Sequence, residues 1–293
     1  MRKHPFLTGI LCILLALGSW IGYELYRSYH WPVVNTFTIE SDKLQGSYHI
    51  VILADMHGHF FPELEEMVRE QNPDLIVLDG DMVDKDIANT DEVLEFVEKL
   101  TGIADVYYAW GNHEEAVKKQ DPEFYDKVKQ TGVYILDRIQ YDIGEDLRLG
   151  GLYDYPFGWN KGGYNTADSA PEETQEYLQA FTDTERFTLF AAHRPESFYF
   201  SDCSKVYPIG LVVSGHIHGG QVIVPFKGGL YGGDLGWFPK CWYGIYTKNK
   251  IQMLVTSGLS SGDEKLPRFN NPPEICVLDL KGNSYGSEDI RTD

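Results

Sequence analysis

The sequence predicts an α/β protein in which two β-sheets pack face to face with helices outside, preceded by one transmembrane helix. Three observations carry this reading. Strand-like and helix-like patterns alternate as βαβαβα through the first half, the second half is mostly strands, and Phe6 to Tyr23 is a run of 18 residues without a charge. Two stacked sheets with helices on their outer faces satisfy both halves. No internal repeat, low-complexity tract or long linker divides the region after the apolar run, and 293 residues suit one large domain behind an anchor.

The apolar run, FLTGILCILLALGSWIGY, nearly crosses a hydrocarbon core of ~30 Å at about 1.5 Å per residue. Arg2, Lys3 and His4 precede it, whereas Glu24 and Arg27 cancel behind it. The positive-inside rule then places residues 1–4 in the cytoplasm as a short tail, 5–26 across the membrane, and the remainder outside. Trp20, Tyr23, Tyr26, Tyr29 and Trp31 form an aromatic belt at the outer interface. A cleaved signal peptide is the rival, with Ala16-Leu17-Gly18 as a small-x-small site, but the apolar run continues past it and favours an uncleaved anchor. Residues 27–35 read as a tether and 36–293 as the domain.

Within the domain, strands are expected at Thr36–Glu40, Tyr48–Ala54, Asp74–Leu78, Val106–Ala109 and Leu147–Leu152, where β-branched and aromatic residues cluster between turn signals. Further strands are expected at Phe187–Ala192, Leu211–Ser214, Gln221–Val224, Ile251–Thr256 and Glu274–Leu280. Helical spacing marks Pro62–Gln71, with Pro at its start, Asp91–Leu100, Pro122–Gln130 behind Asp121 as N-cap, and the acidic Pro171–Phe181.

Composition narrows the function. Asp and Glu number 44 against 25 Lys and Arg, a net charge of −19. So acidic a chain lacks the basic face that phosphate-mediated binding of duplex nucleic acid requires, and it suits a protein that gathers carboxylates around cations. Cys12, Cys203, Cys241 and Cys276 are too dispersed for a zinc knuckle or redox pair. They read as free thiols, with one disulfide among the last three as the alternative in an oxidising compartment. The aromatic residues of the Gly-rich loops, Trp159, Tyr164, Tyr231, Trp237, Phe238 and Trp242, read as loop or core anchors.

The chemistry lies at strand ends. The second strand runs into Asp55-Met56-His57-Gly58, the third into Gly80-Asp81-Met82-Val83-Asp84, and the fourth into Gly111-Asn112-His113-Glu114. Ala192-His193-Arg194 and Gly215-His216-Ile217-His218-Gly219-Gly220 follow two later strands. Carboxyl ends of strands are where α/β folds place ligands, and residues two apart in an extended segment, such as Asp55 and His57, face one side. Each motif alone is weak. Five of them in one order, most beside a glycine, form a strong signal.

In that order D-x-H, G-D-x-x-D, G-N-H-E, a lone H and G-H-x-H resemble the signature of the calcineurin-like metallophosphoesterases, over roughly Tyr48 to Leu280. The G-H-I-H-G-G-Q continuation, the Gly-rich Lys227–Gly236 segment and the N-terminal span resemble the membrane-anchored bacterial branch. The resemblance implies a four-layer αββα sandwich of two mixed sheets. It also implies two divalent ions (Mn, Fe or Zn) bridged by Asp81, with Asp55, His57 and His218 on one and Asn112, His193 and His216 on the other. Nitrogen and oxygen ligands without cysteine suit those metals. The implied reaction is in-line attack of a metal-bound hydroxide on a phosphate mono- or diester, with His113 as general acid oriented by Asp84. His59 and Arg194 are candidate contacts to the substrate phosphate. The expected partners are the membrane and a phosphate ester, lipid- or cell-wall-linked among the options. The expected location is the cell membrane, single-pass, with the catalytic domain outside the cytoplasm. The alternatives are a UDP-2,3-diacylglucosamine-type lipid pyrophosphatase facing the cytoplasm and a catalytically silent metal-binding scaffold.

Overall fold

Helix α1 (Pro5–His30) opens the computed structural model, which describes residues 5–86, 88–153, 159–160, 163–164, 166–262 and 265–283. The expected tail at residues 1–4 lies outside these. Strand β1 (Val33–Ser41) follows, then β2 (Ser47–Leu53), α2 (Leu64–Glu70), β3 (Leu75–Asp79), α3 (Thr90–Thr101), β4 (Asp105–Ala109), α4 (Asn112–Gln120), α5 (Phe124–Gln130) and β5 (Tyr134–Ile135). Strands β6 (Gln140–Ile143) and β7 (Leu147–Gly151) lead to the hairpin β8 (Trp159–Asn160) and β9 (Gly163–Tyr164), then to α6 (Glu172–Thr182) and β10 (Phe187–Ala191). The chain continues through the short α7 (Glu196–Tyr199) and α8 (Cys203–Val206) to β11 (Leu211–Ser214). A second hairpin, β12 (Ile223–Val224) and β13 (Gly228–Gly229), precedes β14 (Gly244–Lys248), β15 (Ile251–Val255) and β16 (Glu274–Gly282).

Two six-stranded mixed sheets result, ordered β1-β16-β2-β3-β4-β5 and β14-β15-β11-β10-β7-β6. In the first, β2, β3, β4 and β5 run parallel while β16 opposes β2. In the second, β7, β10, β11 and β15 are parallel and the edges β6 and β14 are antiparallel. Side-chain alternation explains the layers. Ile50 and Ile52 of β2 and Leu75 and Val77 of β3 meet Leu189, Ala191, Leu211 and Val213 of the other sheet in one buried cluster. The intervening Val51, Leu53, Ile76 and Leu78 face outward into a second cluster with Leu64 and Val68 of α2, Val93 and Val97 of α3, Val117 of α4 and Phe124 of α5. Phe190 and Val212 face the opposite side, into a third cluster with Leu178 and Phe181 of α6 and Phe198 of α7. A period of two with both faces apolar is the pattern of strands buried on both sides. The fold is the expected αββα sandwich.

The parallel strands β2, β3 and β4 of one sheet and β10 and β11 of the other release their chains at the same end of the sandwich, and all five motifs begin there. Covalent organisation is simple: Cys203, Cys241 and Cys276 are buried free thiols, so no disulfide joins them, and Cys12 is exposed on α1.

Helix α1 departs from expectation at its end. It continues to His30, and only Trp31 and Pro32 separate it from β1, so most of the expected tether at 27–35 is helix and strand. The reason is docking. Ser28 is fully buried and its hydroxyl accepts from Asn271 N (3.2 Å); Tyr29 Oη accepts from Arg268 N (2.9 Å); and Trp20 packs edge-on against Phe269, ring centroids 5.6 Å apart. Glu24, itself buried, pairs with Arg27 at 2.7 Å. Phe6–His30 is long and apolar enough to cross a membrane by length and composition.

Candidate metal centre

The residues that end β2 and β3 leave the strands through left-handed backbone. Asp55 (φ +54°), His57 (+49°) and Asp81 (+51°), and beyond β11 His216 (+66°) and His218 (+49°), all occupy a region that disfavours side chains. Each costs on the order of 1–3 kcal/mol, and such strain persists where surrounding bonds over-determine it. Here they do. Asp55 N donates to Gly80 O (3.0 Å) and His57 N to Asp81 O (2.9 Å), while His216 N, from the other sheet, donates to both oxygens of the Asp55 carboxylate (3.0 and 3.1 Å). Close approach is also built in: a Cβ on Gly111 would lie 2.2 Å from Asp81 Oδ1.

Four overlapping groups of side chains offer donor atoms within 4.8 Å of one another among the described residues: Asp55–His57–His218, His57–Asp81–His113, Asp81–His193–His216 and Glu196–His216–Asp234. Asp81 and His57 join the first three into one cluster. Asp55, Asp81, His193 and His218 are almost fully buried and His57 is 8% exposed. Asp81 Oδ2 lies 3.1 Å from His193 Nε2, 3.8 Å from His113 Nε2 and 4.0 Å from His57 Nε2, and Asp55 Oδ1 lies 3.9 Å from His193 Nε2 and 4.0 Å from His218 Nε2.

The second nitrogen of each ring shows which atom is left for a cation. His193 Nδ1 lies 2.7 Å from the Asp79 carbonyl and His218 Nδ1 2.7 Å from the Ser260 carbonyl, so each ring carries its proton there and presents Nε2 to the cluster. His57 Nε2, His193 Nε2 and His216 Nδ1 are buried without a hydrogen-bond partner among the described residues. Buried polar atoms are almost always satisfied, and the orphaned nitrogens of His57 and His193, converging on two buried carboxylates, fit divalent cations with a preference for mixed nitrogen and oxygen ligands.

Electrostatics agree. Burial raises the Asp55 carboxyl above its ordinary value and pushes the His57 imidazole well below its own. Burial and the nearby Arg194 charge push His216 down to about 3, which keeps it in the neutral form that binds metal. For His193 burial opposes protonation, but the Asp81 carboxylate overrides it and holds the ring well above its usual range. The cluster is rich in buried anionic charge and takes up positive charge.

The remaining expected residues fall in different places. His113 Nδ1 lies 3.2 Å from Asp84 Oδ1, and the Lys85 N–H reaches both Asp84 Oδ1 (2.6 Å) and His113 Nδ1 (2.9 Å). Asn112 Oδ1 accepts from Arg194 (3.1 Å). Arg194 is 5% exposed; its Nη1 also lies 2.6 Å from His216 Nε2, 2.6 Å from Asp234 Oδ2 and 3.2 Å from Glu196 Oε1. It therefore braces Asn112 and His216. His59 is in none of the four groups; it sits in an exposed turn, edge-on to Phe61 with ring centroids 4.7 Å apart.

Glu114 carries more than the sequence reading gave it. Fully buried, it accepts from Gly111 N, Asp81 N and Met82 N, each at 2.8 Å, and from Tyr108 Oη at 2.7 Å, so it clamps the second and third motifs together. The signal was present: Gly111 to Glu114 has the N-cap-to-N3 spacing at which a carboxylate returns to the cap backbone. Arg268 and Asn271 gave no signal. Arg268 is fully buried and donates to the carbonyls of Ser260 (2.8 Å), Ser257 (2.8 Å) and Asn271 (2.8 Å), and Asn271 Nδ2 donates to the His218 carbonyl (2.8 Å).

Against known proteins, the family model for calcineurin-like phosphoesterases matches residues 48–220, a stretch that contains every residue from Asp55 to His218 in this cluster. The chain belongs to the calcineurin-like phosphoesterase family. As a member of it, the chain is a metal-dependent phosphoester hydrolase. It is 29% identical to the metallophosphoesterase Cj0846 of Campylobacter jejuni, over 92% of this chain and 69% of that protein. It is 26% identical to the metallophosphoesterase YkuE of Bacillus subtilis, over 97% of this chain and 99% of the other. With the phosphodiesterase YaeI of Escherichia coli it shares 27% identity, over 73% of this chain and 77% of YaeI.

Proposed function

We propose that this phosphoesterase is a membrane-anchored, dinuclear enzyme that hydrolyses phosphate mono- or diesters outside the cytoplasmic membrane. The observation that carries the dinuclear reading is that Asp81 and the orphaned nitrogens of His57 and His193 meet in one buried cluster. In this reading Asp81 would be held in common by two ions, with Asp55, His57 and His218 as the residues that would hold one and Asn112, His193 and His216 those that would hold the other. Two divalent ions, Mn, Fe or Zn, would supply Lewis-acid polarisation of the phosphoryl oxygens and a water acidic enough to deprotonate near neutral pH.

The chain's own residues do the rest. His113 Nε2 faces Asp81, and Nδ1, which accepts from the Lys85 N–H here, also lies beside Asp84; on protonation Nδ1 would turn its proton to Asp84 in place of that contact and Nε2 would direct the other into the site, where it passes to the leaving oxygen. Arg194 keeps Asn112 and His216 in place. Anchoring is supported by the length and apolarity of α1, and the orientation by Arg2 and Lys3 ahead of it.

Hydrolysis of bis-p-nitrophenyl phosphate and p-nitrophenyl phosphate, with Mn²⁺ added or chelated, tests the activity. Metal-dependent release of nitrophenol from either compound is expected; no metal-dependent turnover of both would overturn the reading. Protease treatment of intact spheroplasts tests the orientation: the domain is digested if it faces outward, whereas resistance until the membrane is opened contradicts that topology.

A further inference from the structure

We propose that the loop face carrying Phe226, Trp237 and Phe238 docks into the lipid headgroup region beside α1, so that the domain lies against the bilayer instead of standing off it on a tether. The proposal rests on the anchoring part of the reading above.

The anchor touches the domain directly. Trp20 of α1 packs on Phe269. From Phe6 to Trp20 the helix rises about 22 Å at 1.5 Å per residue, which is shorter than a hydrocarbon core of ~30 Å. With Phe6 at the inner edge, a domain residue touching Trp20 is therefore held no farther out than the outer membrane boundary. Phe269 is bound in turn to the segment after the G-H-I-H motif: Phe269 N donates to Gln221 O (3.1 Å), Ile223 N to Phe269 O (3.0 Å) and Asn270 Nδ2 to the Ile223 carbonyl (3.0 Å). Hairpin β12–β13 is thus fixed to the anchor.

The hairpin tip is a turn closed by Lys227 N donating to Val224 O (3.0 Å), with Pro225 and Phe226 at its centre. Phe226 has φ +66° in a position that normally selects Gly or Asn, and its side chain is 109% exposed. Phe238, at φ +55°, is 52% exposed and is tied back to the hairpin through Phe238 N to Leu230 O (2.9 Å); Trp237 beside it is 55% exposed and packs on Tyr231 at 5.2 Å. Phe226, in left-handed backbone with its ring in solvent, gains nothing within the molecule, and Phe238, also left-handed, leaves about half of its surface exposed. Against a bilayer each buries its ring, and Trp237 takes the interfacial position that indoles favour. As expected of loop anchors, Trp237 packs on Tyr231 and Phe238 is tied to Leu230, but neither enters the core and both leave about half of their surface exposed.

The test uses the full chain in nanodiscs. The cysteines at 203, 241 and 276 are buried, so a thiol-reactive NBD label reads one exposed cysteine at a time. One sample carries the label on native Cys12, within the span; the other carries it on Phe226→Cys in a Cys12→Ser background. Emission is compared between discs of ordinary and of brominated lipid. Docking predicts that the Phe226→Cys label loses most of its emission in brominated lipid, as the Cys12 label does. Quenching at Cys12 without quenching at Phe226→Cys overturns the docking surface while the anchor stands. Quenching at neither overturns both.

Discussion

At the level of single residues, the centre depends on a few atoms whose neighbours cannot substitute for them. Glu114 accepts four close hydrogen bonds in a fully buried setting. Glu114→Gln puts an amide nitrogen where only acceptors fit, and we expect a loss of about 2–4 kcal/mol in urea unfolding together with weaker metal retention; a change below about 0.5 kcal/mol would show that the clamp is unimportant. Gly111→Ala brings a methyl to 2.2 Å from Asp81 Oδ1, so its activity should fall with that of Asp81 variants even though no functional group is lost. His113→Ala should keep its metal and slow turnover most for poor leaving groups, because a good leaving group needs little protonation. A series of aryl phosphate diesters of graded leaving-group pKa measures this, and equal slowing across the series contradicts the acid role. Most of these residues were legible in the sequence because motif order exposes them. Glu114 is legible only as a capping-box carboxylate; its bonds to Asp81 N and Met82 N reach another strand, which no residue pattern displays directly.

Among the elements, the βαβ half was read nearly in full, since strands buried on both faces give unbroken apolar runs and helices α2, α3 and α6 give clear spacing. Helix α4 was not. Gly111-Asn112-His113-Glu114 reads as a strand end, whereas Asn112 is already the first residue of a polar helix whose register is fixed by Glu114 and the buried Val117. Edge strands β6 and β14 were also invisible, being half-exposed and built from mixed polar and aromatic residues. The end of α1 was taken for a tether because Ser28 and Tyr29 look like ordinary interfacial residues. Their partners, Asn271 and Arg268, lie more than two hundred positions away in the chain and also hold the His218 carbonyl and the Ser260 carbonyl beneath His218 Nδ1. Truncation before Asn35 should therefore do more than solubilise the domain. It should lower the melting temperature and weaken metal binding relative to the full chain in detergent, and Asn271→Ala should reproduce part of both effects. Unchanged melting and metal affinity in the truncated protein would show that α1 is only a membrane anchor.

The whole molecule gathers its candidate metal-binding residues at the shared end of two sheets, with opposing faces contributing complementary parts. The first sheet supplies Asp55, His57, Asp81, Asn112 and His113; the second supplies His193, His216 and His218. Cations binding there stabilise the folded state by mass action, about 2.7 kcal/mol for an ion present at a hundred times its Kd. At this chain length each kcal/mol is worth a few degrees, so chelation should lower the melting temperature by about 5 °C or more. The αββα order followed from the residue pattern and the family signature together. The aromatic face beside the anchor did not, because exposure at a hairpin tip is a property of the folded surface. The most direct measurement of the central claim is elemental analysis of the purified full chain beside its Asp81→Asn and His113→Ala variants. The account predicts about two divalent ions per chain in the parent and in His113→Ala, and loss of both from Asp81→Asn. Fewer than two in the parent, or an Asp81→Asn protein that keeps its full complement, would contradict it.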